Sequence, residues 1–176
     1  KKVQPALFIG VPRIYEKVYS NLKSTIDSKA ILRIGLNIPI LKKVLQKAVK
    51  RKIGMLNCKY AITGAAPINP DILRLFHKVG VPLYEGYGMT ETTAGASINY
   101  HNNMKIGSVG RTMPGGSELK TDTDGEIMFR GRHVMKGYYK NPEATAEVMD
   151  GEWLRSGDIG KIDSDGFVTI TGRKKE

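Results

Sequence analysis

Apolar residues recur at helical spacing near the start of the chain. In residues 11–26, a proline stands where the first turn of a helix tolerates it, and Ile14, Val18, Leu22 and Thr25 follow at helical intervals. We predict a helix over this segment.

A second helical pattern covers residues 37–54, with Pro39 near its start and Gly54 as a natural stop. One face is apolar and the other is strongly basic. The apolar positions are Ile40, Leu41, Val44, Leu45, Ala48 and Val49, and the basic positions are Lys42, Lys43, Lys47, Lys50, Arg51 and Lys52.

The middle of the chain has the pattern of a strand, a helix and a second strand. Residues 58–63 and 81–84 are the strands, and Asn69, Pro70 and Gly80 delimit the helix between them. Strands joined by a helix are expected to be parallel, with a right-handed crossover. Their following loops then leave the sheet at one edge, where open α/β sheets bind ligands.

After about residue 106 the pattern becomes that of short strands. Residues 117–131 and 160–172 each contain two extended runs around an Asp-Gly turn, which predicts two hairpins. A short helix is predicted over 141–151. Because glycine and proline cluster in 106–116, we expect an α/β subdomain over 1–106 and a β-rich one over 107–171.

The charge of the chain is concentrated in its first third. The 176 residues contain 28 Lys and Arg against 17 Asp and Glu, a net charge of +11. Residues 1–59 hold 14 basic and two acidic side chains, net +12, whereas 60–176 hold 14 basic and 15 acidic, net −1. The excess is therefore not a global nucleic-acid signature, and we expect no nucleic acid as a partner.

Composition indicates an ordinary globular protein. No apolar run approaches the roughly 18 residues of a membrane-spanning helix. The single cysteine, Cys58, cannot form an internal disulfide, so we expect a cytoplasmic location.

Several familiar sites are excluded by spacing. The chain has no G-x-x-x-x-G-K-[ST] phosphate loop, and Glu91 stands where a dinucleotide fingerprint starting at Gly86 needs its third glycine. The DTDG and DSDG runs are similar to the start of a calcium-binding loop, but turn chemistry explains them fully. The three histidines lie far apart, and Ser156 is not in a nucleophile elbow.

Four segments remain that carry chemistry: 63–67 (TGAAP), 84–91 (YEGYGMTE), 154–158 (LRSGD) and 171–176 (TGRKKE). The small side chains at 64–66 let a flat ring approach the backbone. Tyr87 offers a ring on which it could stack. Taken alone, the first segment is more often only a turn, and Tyr87 is more often a core aromatic residue.

The other polar groups of these segments suit the sugar, phosphates and metal of a nucleotide. Thr90 can donate to a phosphate, and Glu91 is a hard oxygen ligand for Mg²⁺. Asp158 can accept from both ribose hydroxyls, and Arg173 can add a charge-assisted contact. Taken singly, Asp158 is more often a cap and Arg173 is more often a solvated charge.

In this order and at these separations, the four segments resemble the adenylate-forming superfamily, and more closely its long-chain fatty acid–CoA ligases. YEGYGMTE is similar to the signature Y-G-x-T-E stretch. Residues 125–160 resemble the segment that ends in the ribose-binding aspartate, and 172–176 resemble the hinge motif.

The resemblance implies a parallel α/β subdomain followed by a distorted, barrel-like β-rich one. It implies an enzyme that adenylates a fatty acid with ATP and Mg²⁺ and passes the acyl group to coenzyme A. The implied residues are Gly64, Ala65 and Ala66 at the adenine and acyl pocket, Tyr87 and Gly88 at adenine, Thr90 at phosphate, Glu91 at Mg²⁺, Asp158 and Arg173 at ribose, and Lys175 at the hinge. The family's more usual glycine pair before Ala-Pro is here Gly64-Ala65.

The family's phosphate loop and its small C-terminal domain with the adenylation lysine are expected outside residues 1–176. We therefore expect an internal piece, with 172–176 as the hinge. Without those groups we predict no turnover and AMP or ATP binding no tighter than about 1 mM, near −4 kcal/mol.

Three other interpretations stay open. The parent could be another adenylating enzyme, such as an aryl-CoA ligase or an amino acid adenylation domain. A basic nucleic-acid-binding module is a distant third, motivated by a pI near 9.7. The basic helix 40–53 could contact a membrane peripherally or attract the phosphates of coenzyme A, although a solvated face is the commoner explanation.

Overall fold

The computed structural model describes residues 3–174. Contacts divide the chain into two compact units, one ending at Tyr84 and the other beginning at Glu85. The subdomain boundary near residue 106, expected from glycine and proline, stays a prediction.

The first unit is built from helices and parallel strands. β1 pairs in parallel with β2, from Leu7 opposite Tyr60 to Gly10 opposite Thr63. The elements are β1 (Leu7–Gly10), α1 (Pro12–Ser28), α2 (Ala30–Gly35), α3 (Pro39–Ile53), β2 (Tyr60–Thr63), α4 (Pro70–Lys78) and the start of β3 (Leu83–Tyr87).

The predicted helix over 11–26 forms as α1, but its buried face differs from the predicted one. Tyr15, Leu22 and Ile26 are buried, whereas Ile14 is 43% exposed. The Tyr15 hydroxyl donates to Ile62 O at 3.0 Å, so the phenol is satisfied inside the unit. A count of aliphatic spacing alone does not detect this aromatic anchor.

The helix predicted over 37–54 is α3, and Gly54 ends it with φ +82°, as expected of a glycine stop. Most of the apolar face named from the sequence is not part of the core. Val49 is the one buried residue of α3, while Ile40 and Val44 are 85% and 67% exposed. The helix contacts its own unit through its C-terminal half, and the preceding α2 was not predicted at all.

The helix α4 forms as its caps indicate. Asn69 accepts a hydrogen bond from the Asp71 N–H at 2.9 Å, and Pro70 begins the helix. Ile72 and Phe76 lie on its buried face.

The second unit is mainly antiparallel sheet. β3 pairs with β4, which pairs with β5, and a second sheet has the order β10-β9-β7-β6, with β8 also paired to β9. Its elements are a 3₁₀ turn (Thr90–Thr92), β4 (Ser97–Ile98), β5 (Arg111–Thr112), β6 (Glu118–Thr121), β7 (Glu126–Arg130), α5 (Pro142–Val148), β8 (Met149–Asp150), β9 (Trp153–Ile162) and β10 (Val168–Arg173).

The predicted α/β class and both hairpins are confirmed. Gly125 and Gly166 turn the hairpins with φ of +84° and +82°. The core of this unit is formed by Ile127, Phe129, Leu154 and other buried side chains. Over residues 3–174 the second sheet is open, with β10 and β6 at its ends, so the expected barrel-like closure is not seen there.

Candidate active site

Part of the segment expected to be a loop is strand. β3 continues through Gly86 and Tyr87, which pair antiparallel with Ile98 and Ser97. The glycine content suggested a loop, but Gly86 lies where a Cβ would be 3.4 Å from Ser97 O, a close approach of two backbones. Tyr87 is therefore the last residue of a strand rather than part of a mobile loop.

After Tyr87 the chain closes a compact turn. Met89 N donates to Thr92 Oγ1 at 3.0 Å, and Ala94 N donates to Met89 O at 3.0 Å. A Cβ on Gly88 would lie 2.8 Å from Ala94 O and from the backbone of Gly95, so only glycine fits there. The turn leaves the Thr90 side chain exposed.

A bulge in β9 presents Asp158. Glu126 lies opposite Ile159 and Met128 opposite Arg155, so three residues of β9, 156–158, face the single residue Ile127. Gly157 takes φ +73° within the bulge. Asp158 thus lies in the middle of the ten-residue strand β9.

The bulge brings Asp158 to two predicted site residues. Tyr87 donates its phenol hydrogen to Asp158 Oδ2 at 2.6 Å. Arg173, opposite Asp158 on β10, places Nε 3.3 Å from Oδ1. Three of the residues implied at adenine and ribose are therefore clustered within the second unit.

Tyr87 is held as a hydrogen-bond donor. Its ring packs against Phe129 with centroids 5.6 Å apart. Burial raises the pKa of the Tyr87 phenol, and the hydrogen bond to Asp158 raises it further. The phenol therefore stays protonated at neutral pH.

Glu91 is attached to a segment that sequence reasoning did not assign to the site. Tyr138 donates to Glu91 Oε1 at 2.7 Å, and this hydrogen bond raises the pKa of the Tyr138 phenol. Met135 N donates to Glu91 O at 2.7 Å, and Thr93 Oγ1 donates to His133 O at 2.8 Å. The run KGYYKNPE lay within the family-like segment, but nothing in its spacing indicated this partner.

A second residue missed from sequence is Glu126. Its carboxylate accepts from Gly157 N at 3.0 Å, from Arg155 at 3.1 Å and from Lys174 Nζ at 2.9 Å. Burial alone would raise the pKa of Glu126, but the hydrogen bonds from Lys174, Gly157 and Arg155 hold it below its usual value. The side chain is almost fully buried, so it remains a charged anchor beneath the bulge.

Glu126 also belongs to a cluster of three carboxylates with Asp122 and Asp124. The other two members are also paired with cations, since Arg155 lies 2.9 Å from Asp122 and Lys174 lies 2.6 Å from Asp124. This pairing accounts for the cluster as an ion-pair network.

The predicted site residues not yet described are Gly64, Ala65 and Ala66, which belong to the first unit, and Lys175. Gly64 is half-buried, and Ala65 and Ala66 are exposed, in the turn after β2. Ala65 has φ +67°, a left-handed conformation that favours glycine. Lys175, the predicted hinge residue, lies outside the described residues. The ligand contacts and roles of all the predicted site residues stay predictions.

Comparison with known proteins identifies the family. The family model for AMP-binding enzymes matches residues 1–139. The chain belongs to the AMP-binding enzyme family. The cluster of Tyr87, Asp158 and Arg173 is therefore found in a member of a nucleotide-binding family.

Individual AMP-binding enzymes also match this chain. The chain is 36% identical over 196 aligned residues to the long-chain-fatty-acid–CoA ligase FadD15 of Mycobacterium bovis, covering 98% of this chain and 32% of that protein. It matches the structure of a Mycobacterium tuberculosis fatty acyl CoA synthetase with a TM-score of 0.67 at 22% identity, over 97% of this chain and 31% of that one. This second likeness shows the fold.

A further structural match is the o-succinylbenzoate coenzyme A synthetase of Bacillus subtilis in complex with ATP and magnesium ion. The TM-score is 0.60 at 28% identity, over 67% of this chain and 27% of that one. The chain thus spans about a third of the length of these proteins.

Proposed function

We propose that this chain is the nucleotide-binding part of a longer ATP-dependent long-chain fatty acid–CoA ligase. The observation that carries the proposal is the contact of Tyr87 and Arg173 with the two oxygens of Asp158. Membership of the AMP-binding enzyme family supports a nucleotide as the ligand of this cluster.

In this proposal Asp158 accepts hydrogen bonds from the two ribose hydroxyls. A carboxylate has about four acceptor positions, so its contacts with Tyr87 and Arg173 leave room for the diol. The Tyr87 ring, supported by Phe129, offers its face to adenine. Arg173 is 80% exposed and can turn toward the ribose while keeping its charge near Asp158.

In this proposal Thr90 contacts the phosphates of the nucleotide, and Glu91 holds the metal ion. The donor chemistry fits Mg²⁺, because this ion is usually held by one or two carboxylates together with substrate phosphates and water. Tyr138 engages only Oε1 of Glu91, so the other oxygen has no hydrogen bond among the described residues. When bound, the metal would neutralise phosphate charge. ATP and magnesium in the Bacillus subtilis relative support this assignment.

The relatives favour a fatty acid over an aryl substrate. The FadD15 ligase is 36% identical over almost the whole chain, whereas the o-succinylbenzoate synthetase is 28% identical over 67% of it. Long-chain fatty acid and coenzyme A are accordingly the proposed substrates, and the acyl pocket would include Gly64–Ala66. An amino acid or aryl acid remains the alternative that a substrate panel on the longer protein would detect.

We also propose a cytoplasmic location. The single cysteine, Cys58, is free and buried. Among the described helices, none is both long and apolar enough to cross a bilayer.

The test is a titration of the 176-residue chain with AMP, followed by amide NMR. We expect millimolar affinity, with the largest shifts at Tyr87, Asp158 and Arg173. Asp158→Asn should weaken binding about tenfold, since a charge-assisted hydrogen bond contributes about 1.5–3 kcal/mol. The matched control is Glu147→Gln, an exposed carboxylate with no ion pair among the described residues. Equal binding in Asp158→Asn and wild type would contradict the proposal.

The substrate is tested separately on the longer protein. Pyrophosphate release should be fastest with long-chain fatty acids and slow with anthranilate or o-succinylbenzoate. A preference for an aryl acid would reject the fatty acid assignment while leaving the nucleotide site unaffected.

A further inference from the structure

The segment 133–138, which we name the strap, is held against the turn that carries Glu91. Three hydrogen bonds join the strap to this turn. They run from Thr93 Oγ1 to His133 O at 2.8 Å, from Met135 N to Glu91 O at 2.7 Å and from the Tyr138 hydroxyl to Glu91 Oε1 at 2.7 Å. Val134 and Met135 also pack against the core of the second unit. Two of the three bonds and the core packing therefore hold the strap without Tyr138.

Helix α5 sets the position of the Tyr138 backbone. Tyr138 N donates to Thr145 Oγ1 at 2.9 Å, and Thr145 Oγ1 donates to Asn141 O at 2.8 Å. Asn141 also caps the helix, since its Oδ1 accepts from Ala144 N at 3.0 Å. Gly137 has φ +146°, and a Cβ there would lie 2.9 Å from Thr145 Cγ2. The strap and the helix thus approach closely enough for Thr145 to orient Tyr138.

The Glu91 carboxylate is paired differently from other shielded acids of the second unit. Asp122, Glu126 and Asp163 are partly or fully buried, and each forms an ion pair with Lys or Arg. Glu91 is half-buried, but within residues 3–174 it forms no ion pair, and the side chain that donates to it is Tyr138. A neutral donor therefore holds Glu91, and its negative charge has no cation among the described side chains.

A neutral donor orients a carboxylate without cancelling its charge. The hydrogen bond restricts the rotatable bonds of the Glu91 side chain, so less conformational entropy is lost when a ligand binds. A Lys or Arg in the same place would orient the carboxylate but would compete with an incoming cation. Carboxylates that bind metal ions are themselves hydrogen-bonded by neighbouring groups. The pairing of Glu91 with a phenol therefore suits a hard divalent cation as the next ligand.

We propose that Tyr138 is a positioning residue for Glu91. Its phenol holds Oε1, and Oε2 is left to bind the divalent cation that accompanies the nucleotide phosphates. The inference rests on the proposed function, which assigns the metal ion to Glu91, and it adds the residues that prepare this ligand. Helix α5 places Tyr138, and Tyr138 places Glu91. Tyr138 acts through Glu91 and supplies no metal ligand of its own.

A purely structural role of Tyr138 would have a different signature. A structural hydrogen bond would affect the nucleotide site equally with and without a metal ion. A positioning bond affects only the metal, and its loss costs no more than the loss of the Glu91 charge itself. Since the strap keeps its other two hydrogen bonds, removing the phenol oxygen should leave the fold intact.

The experiment records amide NMR spectra of the 176-residue chain with millimolar ATP and Mg²⁺, a small part of which is replaced by Mn²⁺. Mn²⁺ is paramagnetic and broadens the amides near the bound metal. Chemical shifts at Tyr87, Asp158 and Arg173 report the nucleotide. We expect both signals in the wild type, with the strongest broadening at Glu91 and Thr92. The readout is the position of the metal and requires no turnover.

Tyr138→Phe should reduce the broadening at Glu91 about tenfold, because loss of a partner of a ligating carboxylate typically lowers metal affinity about 10- to 100-fold. The nucleotide shifts in EDTA should stay as in the wild type. Tyr139→Phe is the matched control, since the adjacent Tyr139 is 87% exposed, and it should leave the broadening unchanged. The same spectra show whether each variant is folded.

A second pair of variants tests the placement of Tyr138 by α5. Thr145→Val removes the oxygen that accepts from Tyr138 N and should reduce the broadening at Glu91 as Tyr138→Phe does. Thr145→Ser keeps the hydroxyl and should restore the wild-type broadening. Glu91→Gln gives the reference for complete loss of the charged ligand.

Several results would overturn the inference. One is unchanged broadening in both Tyr138→Phe and Thr145→Val. Another is a larger loss in Tyr138→Phe than in Glu91→Gln, or weaker nucleotide shifts in EDTA, because either would indicate a structural role. Nucleotide shifts without broadening at Glu91 in the wild type would reject this inference and leave the nucleotide site in place. Absence of the nucleotide shifts would instead reject the proposed function, and the inference with it.

Discussion

Tyr87 donates a 2.6 Å hydrogen bond to Asp158, a residue 71 positions further along the chain. The contact joins the last residue of β3 to the bulge of β9. The resemblance places Tyr87 at the adenine and Asp158 at the ribose of the same nucleoside. The hydrogen bond fixes the Asp158 carboxylate before any ligand arrives, which lowers the ordering cost of binding.

Replacing Tyr87 by Phe should destabilise the chain by about 1–3 kcal/mol, because a half-buried carboxylate loses a hydrogen-bond donor. AMP affinity should fall less than in Tyr87→Leu, since Phe keeps the ring on which adenine would stack. Urea unfolding and NMR titration measure the two effects. Tyr139→Phe is the control, as Tyr139 is 87% exposed; an equal loss of stability there would contradict the argument.

Replacing Glu126 by Gln should destabilise the second unit by about 1–3 kcal/mol, because hydrogen bonds to a buried, charged acceptor are lost. Exchange of the Gly157 and Lys174 amides should accelerate, since Glu126 accepts from Gly157 N and Lys174 N donates to Gly157 O. Hydrogen exchange and urea unfolding measure these changes. Glu118→Gln, which removes an exposed partner of Arg130, should have a smaller effect and leave both amides unchanged.

Replacing Ala65 by Gly should stabilise the chain by about 0.5–1 kcal/mol, because the left-handed conformation is costly for Ala and accessible to Gly. Ala66→Gly should instead destabilise slightly, since a residue outside that conformation gains only unfolded-state entropy. Ala66 is exposed like Ala65 but is not among the residues with positive φ. Thermal unfolding of the two variants should therefore shift in opposite directions.

Stability should fall as the pH drops below about 6.5, where an unfolded histidine binds its proton. Burial lowers the pKa of His133 in the folded chain, so the unfolded state binds more protons in this range. Its Nε2 is buried without a hydrogen-bond partner among residues 3–174. His133→Asn should flatten the dependence of unfolding free energy on pH between 7 and 5.5, and His101→Asn should not. An unchanged slope in His133→Asn would rule out this residue as the cause.

Local signals predicted much of the fold correctly. Asn69 with Pro70 and Asn141 with Pro142 begin helices, and the two Asp-Gly pairs turn hairpins, because each depends on backbone chemistry within a few residues. The two-residue strands β4, β5 and β8 carry too few positions for any periodicity to be visible. β4 is fixed instead by pairing with β3 and β5, and β8 by a tight hairpin with β9.

The sequence predicted those site residues whose side-chain type alone indicated nucleotide binding. Tyr87, Asp158 and Arg173 were singled out from their segments, and the structure brings them together. Glu126 and Tyr138 were not, because neither lies in the four segments whose residue types suit a nucleotide. The outward direction of Ile40 and its neighbours also escaped prediction, since helical spacing identifies an apolar face but not what covers it.

The bulge in β9 adds two residues to the strand, not one, and this number has a consequence for evolution of the segment. Side chains of a strand alternate with a period of two, so the inward positions keep their parity, and Leu154 and Gly160 are both buried. Loss of one residue from the bulge would move every later side chain of β9 to the opposite face of the sheet, and Lys161 would then point inward. Loss of two residues that include Asp158 would keep this alternation and delete the carboxylate, so a descendant could keep the β7–β9 pairing after abandoning its chemistry.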